Sequence, residues 1–138
     1  MRDLLFISVV FALVVGLKPV HAAEAAEEPA PPAIEYVTLT PGIVVNVAAE
    51  DNRRHYLKAD VSLSVRGQEA ADTMTRHEPL IRHHLVMYFS HLNMDEVDDP
   101  AAIDTVRQEA LKKVQTAMTD ALVEAELLDL LFTSFTVQ

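Results

Sequence analysis

"HYLKADVSLSVRG", His55 to Gly67, decides the fold. Leu57, Ala59, Val61, Leu63 and Val65 alternate strictly with Lys58, Asp60, Ser62, Ser64 and Arg66. Side chains on a strand point to opposite faces in turn, so a period of two places one face in a core and the other in water. A strand solvated on one side belongs to an antiparallel sheet. Just upstream, "YVTLTPGIVVNVA", Tyr36 to Ala48, reads as two strand pieces broken at Pro41-Gly42, a pair that marks a bend, a bulge or a sheet edge. The polar "EDNRR", Glu50 to Arg54, then supplies the turn of an antiparallel hairpin.

Downstream the period changes. Gln68 to about Leu92 reads as helical, interrupted at Pro79, which suits the first turn of a second segment. Ile81, Leu85, Tyr88 and Leu92 form its apolar stripe. "NMDEVDDP" is a polar break in which Asp99 caps the next helix and Pro100 occupies its first position. That helix is expected to run to about Ala125, with Ile103, Val106, Ala110, Val114, Ala117 and Ala121 on one face. "LLDLLFTSFTVQ" closes the chain as a strand. Phe132 and Phe135 have opposite parity, so both faces of this strand are expected to meet apolar groups, as in a central strand. The predicted class is α+β in the order β-β-α-α-β. Its antiparallel sheet carries a two-helix crossover on one face.

The amino terminus carries a different signal. Leu4 to Leu17 is an apolar run behind Arg2, followed by Val20, His21, Ala22 and Ala23. A helix of that length reaches about 21 Å, short of a bilayer core of about 30 Å. Residues 1–22 therefore read as a signal peptide cut after Ala22 or Ala23. The alternative is a short anchor, through residues 4–17, that leaves a single-pass protein in the inner membrane. Residues 23–35, with Pro29, Pro31, Pro32 and three glutamates, read as a semi-stiff spacer. The folded domain is expected over 36–138.

Composition narrows the function. The net charge is −10, which repels phosphates and argues against nucleic acid as a partner. There is no cysteine, so an exported chain rests on packing alone. His77, His84 and His91 are seven apart, about 10.5 Å along a helix axis, too far for one metal ion. His83 and His84 are adjacent and point apart, and Ser90 beside His91 has no orienting acid in register. Asp95, Glu96, Asp98 and Asp99 lack the spacing and glycine of a calcium loop. With three glycines in all, there is no phosphate cradle. The residues read as an exported binding or scaffolding domain, with no catalytic set, no cofactor and no metal. Two surfaces are candidate partner faces, neither assigned as a site: the polar side of the 55–66 strand, with Lys58, Asp60, Ser62, Ser64 and Arg66, and the helix face with Arg82 and His83.

These segments, in this order, resemble the flagellar basal body-associated protein FliL family from Tyr36 to Gln138. The resemblance is carried by "YVTLTPGIVVNV" with Asn46 near its end, by "RRHYLKADVSLSV", and by Pro79-x-Ile81-Arg82 opening a helix. The closing "LLFTSFTVQ" completes it with Phe132, Phe135 and Gln138. The resemblance implies a periplasmic domain of stomatin-like (SPFH) fold. It also implies ring-shaped homo-oligomers, partners among flagellar stator and basal-body proteins, and a role in motility and chemotaxis. The alternative is a general periplasmic scaffold unrelated to motility. The chain departs from the family in its short stretch before the apolar run and in Asp99-Pro100-Ala101, where many members have glycine.

Overall fold

A computed structural model describes residues 28–138; the apolar run and the cleavage position at Ala22 or Ala23 lie outside the described residues. The folded unit is Pro31–Gln138. Its strands are β1 (Ile34–Thr38), β2 (Ile43–Val47), β3 (His55–Arg66) and β4 (Leu127–Val137). Its helices are α1 (Gln68–Arg76), α2 (Glu78–Phe89), α3 (Met94–Asp98) and α4 (Pro100–Asp120).

The class is α+β with an antiparallel sheet, as expected, but the order is β-β-β-α-α-α-α-β rather than β-β-α-α-β. Three features account for the difference. The Pro41-Gly42 break gives two separate strands, and the expected helical region divides at His77, ahead of Pro79. The polar break also holds a helical turn of its own. Asn93 accepts from the Glu96 N–H at 3.1 Å, Glu96 accepts from the Asn93 N–H at 2.9 Å, and Val97 is buried beneath them. That reciprocal cap satisfies two end donors, which stabilises even a five-residue helix.

β3 is the centre of the sheet. β1 pairs with its second half, Ile34 opposite Arg66 and Thr38 opposite Ser62. β2 pairs with its first half, Ile43 opposite Ala59 and Val47 opposite His55. β4 pairs along nearly all of it, from Leu57 opposite Val137 to Val65 opposite Leu127. Since Ala59 pairs with both Ile43 and Phe135, β2 and β4 flank β3 on opposite sides. β1 and β2 are thus two halves of one edge. The expectation of a central terminal strand is corrected: β4 pairs with β3 alone among the described residues, and β3 holds the centre.

The opposite parity of Phe132 and Phe135 has another cause. The register shifts between Asp60 and Val61, which face Ser134 and Phe132, so Thr133 is an extra residue. A bulge adds one residue to one strand and resets which face each later side chain takes. Both phenylalanines therefore share the core face, opposite Val61 and Ala59, with ring centroids 4.8 Å apart. Deleting Thr133 is expected to remove the bulge yet leave both rings inside, shifting stability by no more than about 1 kcal/mol. A urea midpoint lowered by the equivalent of about 3 kcal/mol would contradict this register.

The helices cover one sheet face. Leu57, Ala59, Val61, Leu63 and Val65 are fully buried there, against Met74, Ile81, Leu85, Phe89, Val114 and Leu130. Asp99 caps α4, accepting from the Ala101 N–H at 2.9 Å with Pro100 behind it. α4 ends at Asp120 rather than near Ala125. Leu122 just beyond it takes a positive φ of 55°, which helix continuation forbids. Val106, Ala110, Val114 and Ala117 of its expected stripe are buried, while Ala121 at its end is exposed.

The break between β1 and β2 is tightly fitted. Leu39 donates to the Val61 carbonyl at 2.9 Å, the Thr40-Pro41 peptide is cis, and Gly42 follows against β3. A Cβ on Gly42 would stand 2.0 Å from Asp60 Oδ1 and 3.2 Å from the Ala59 carbonyl oxygen. The Asp60 side chain can turn away, but the backbone oxygen cannot. Gly42→Ala is expected to cost about 1–2 kcal/mol, by overpacking, and less in an Asp60→Ala background. Equal cost in both backgrounds, read from urea midpoints, would place the clash elsewhere.

Candidate functional site

The side of the sheet away from the helices is built from alternate residues of all four strands. Cross-strand partners share a face, so Tyr36 and Thr38 lie beside Ser64 and Ser62, with Asp129 and Leu131 on their other side. Val44 lies beside Lys58, and Asn46 beside Tyr56. Six large apolar or aromatic side chains are strongly exposed in the described residues. Four of them are on this face: Ile34 at 52 %, Tyr36 at 63 %, Val44 at 60 % and Tyr56 at 44 %.

The expected solvent stripe of β3 is only partly solvated. Ser62 is 4 % and Ser64 7 % exposed, a correction to the reading of both as water-facing. They are small side chains in the middle strand, and their larger neighbours on both sides close over them. Ser62 stays satisfied, its hydroxyl 3.3 Å from that of Thr38. The face is therefore a shallow trough of hydroxyls along β3, with tyrosines toward both ends.

Its charges are sorted by partner. Arg66 donates to Glu126 at 2.9 Å. Asp129 is held by Arg107, which reaches from α4 and also bonds Asp104 at 2.9 Å and the Leu130 carbonyl at 3.4 Å. Asp60 lies against Gly42. Arg53 and Arg54, which lead into β3, and Lys58 have no carboxylate partner among the described residues. Neighbouring Asp51 is already engaged: it accepts from the Arg53 N–H at 3.1 Å and sits 2.9 Å from His55 Nε2. The His55 contact, and then that N–H, hold its carboxyl below the usual range.

The second expected face, with Arg82 and His83, is structural in its first residue. Arg82 donates to the Pro41 carbonyl at 2.7 Å and to Glu78 at 2.7 Å. It fastens α2 to the break in the sheet edge. The other motif residues are structural as well. Pro79 opens α2, Ile81 is fully buried, and Phe132 packs 5.9 Å from Phe89, centroid to centroid. Gln138 exchanges two backbone bonds with Tyr56, at 2.8 and 2.9 Å. Asn46 is the exception, lying exposed on the open face within β2. Motif spacing cannot separate these roles; the burial of each side chain does.

His83 is exposed and meets His84 edge-on at 5.3 Å. His77 Nδ1 lies 2.9 Å from the Thr73 carbonyl oxygen, and His91 Nδ1 2.6 Å from that of Met87. Among the described residues no group of three histidines or carboxylates is placed to hold a metal ion. No described helix is long and apolar enough to cross a membrane. His84, Met87, Tyr88, His91 and Lys113 line a cleft of about 290 Å³ between α2 and α4. Burial, helped by the Glu109 and Glu96 carboxylates, pushes the Tyr88 hydroxyl up to about 12. The sign follows from the neutral form being favoured in the fold. Above the ordinary value of 10.0 the unfolded chain ionises while the folded one does not, so stability falls as pH rises from 10 to about 12. A tyrosinate absorbance titration is expected to show a late phase that Tyr88→Phe removes. A wild-type curve complete near pH 10 would refute it.

Residues 36–138 match the family model of the flagellar basal body-associated protein FliL. The chain is also 25 % identical over 114 residues to the flagellar protein FliL of Aquifex aeolicus (strain VF5), covering 82 % of this chain and 68 % of that one.

Proposed function

The chain belongs to the FliL family, a flagellar basal body-associated family, and on that premise we propose that it is a non-enzymatic accessory of the flagellar motor. In this reading it works in the periplasm beside the stator, as a homo-oligomer of stomatin-like domains, and supports rotation under load. Its leader is a signal peptide or a short anchor, followed by a spacer that runs from residue 23 up to the start of β1 at Ile34.

The observation that carries the reading is the match over 36–138, which spans every strand and helix from β2 onward and the last three of the five residues of β1. The open sheet face adds physical support. Exposed tyrosine, valine and isoleucine on one open sheet face, with lysine and arginine among them, have the composition of a protein interface. A holding function needs such a face and does not need a catalytic set.

Deleting the gene is expected to leave filaments assembled but reduce swimming speed and swarming, most strongly in viscous medium. Complementation by the full chain restores both. Normal motility under load in a strain without a second family member would overturn the reading. The intact mass of the protein from the envelope fraction reports whether residues 1–22 are removed.

A further inference from the structure

We propose that the open sheet face docks an acidic amphipathic helix of another protein along the length of β3. That helix would lay its apolar stripe over Val44, Tyr56 and Tyr36 and bring carboxylates to Arg53, Arg54 and Lys58.

Charge complementarity selects the partner. The chain carries a net −10, so carboxylates are in surplus, yet none of the described ones neutralises these three cations. Arg66, Arg82 and Arg107, by contrast, each have a carboxylate partner within the fold, and the other described cations without one, Arg76, Lys112 and Lys113, belong to the helices. Lys58 stands beside exposed Val44, and Arg53 and Arg54 precede Tyr56 at the start of β3, so the cations gather at one end of the apolar face and fit a ligand that is apolar along its length and acidic at that end.

The width of the face selects a helix. It is three strands across, so its outer strands stand about 10 Å apart, close to the diameter of a helix of about 10–12 Å. A second sheet of ordinary width would overhang it. The trough over Ser62 and Ser64 lets a helix approach closely between the tyrosines. From Tyr56 to Ser64 is roughly 26 Å of strand, which a helix of about 18 residues spans.

The proposal rests on this surface and not on the flagellar reading, so a motility result leaves it standing. The probe is an 18-residue helical peptide with leucine on one face and glutamate on the other, paired with a lysine twin. Neither holds an aromatic residue, so tyrosine emission of the full chain reports binding. The glutamate peptide is expected to bind about tenfold more tightly than the lysine twin at low salt, and the difference to shrink as salt rises. Charge reversal by Arg53→Glu, Arg54→Glu and Lys58→Glu together is expected to invert the preference. Val44→Asp is expected to abolish binding, whereas Met87→Asp, in the helical layer, is expected to leave it unchanged. Tyr56→Ser reports the same loss should Val44→Asp disturb β2.

Equal binding of the two peptides, or none, overturns the proposal. So does binding that survives the charge reversal. Vesicles of phosphatidylglycerol that bind the wild type better than the charge-reversed chain, without peptide preference, would assign the face to lipid instead. Self-association lost on the same reversal, again without peptide preference, would assign it to a second copy.

Discussion

Replacing Phe89 by alanine is expected to cost about 3–5 kcal/mol, because the site cannot collapse around the space left behind. Phe89 is fully buried at the last turn of α2, where its ring lies 5.9 Å from Phe132 and 5.6 Å from Tyr88. Phe132 in turn stacks against Phe135 at 4.8 Å. The row joins α2 to β4, so one truncation removes the aromatic contact between that helix and the closing strand, while α4 keeps its own hold on β4 through Arg107. Neither neighbour is free to move in. Phe132 is fixed by the bulge at Thr133 and its pairing to Val61, and Tyr88 leaves the helix in another direction, into the α2–α4 cleft. With a urea slope of about 1–3 kcal/mol per molar, the midpoint should fall by roughly 1–3 M. Phe89→Leu keeps most of the volume and should cost less than half as much. A shift below about 1 kcal/mol for Phe89→Ala would mean that the aromatic row does not couple the layers.

Phe89 also marks where the sequence could be read and where it could not. The stripe was legible as Ile81, Leu85, Tyr88 and Leu92; Ile81, Leu85 and Leu92 are in the core and Tyr88 packs against it. Phe89 is one position from Tyr88, and helical spacing alone allows either to face inward. Packing chose the residue without a hydroxyl, leaving Tyr88 half-buried between Glu96 and Glu109. The buried side of β3 was legible in full, because its alternation is strict. The other side was not, since the exposure of Ser62 and Ser64 depends on Tyr36, Thr38, Asp129 and Leu131 in other strands. Parity assigned Phe132 and Phe135 to opposite faces, and a bulge, invisible in a single strand's sequence, brought them together. The N-cap at Asp99 was legible because capping is local, involving only the next two residues. Of the two candidate faces, the helical one has Arg82 engaged with the Pro41 carbonyl and Glu78, with His83 exposed beside it. The sheet face gained Ile34, Tyr36, Val44 and Tyr56, which reading β3 alone could not include.

Val61→Asp is expected to cost the fold altogether. All strand pairing in the named sheet runs through β3: β1, β2 and β4 pair with it and not with one another. Val61 stands near its middle, fully buried, opposite Phe132, with its carbonyl accepting from the Leu39 N–H at 2.9 Å. A carboxylate there has leucine, valine and phenylalanine around it and no cation in the layer. Ionised, it bears the desolvation of an unpaired charge; protonated, it leaves a polar group unmatched in the core. Either state costs about 4 kcal/mol or more, against a total of roughly 5–15 kcal/mol for a domain. The alternative is for β3 to slip by one residue, which would turn Leu57, Ala59, Leu63 and Val65 outward with it. The variant should therefore lose its cooperative urea transition and its far-ultraviolet strand signal at pH 7. Part of both should return as the pH is lowered toward about 4, since burial raises the aspartate above its ordinary value and protonation removes the buried charge. Lys58→Asp, three residues away but on the open face, should leave the transition within about 0.5 kcal/mol of wild type. If both variants melt alike, β3 is not the element on which the other strands depend.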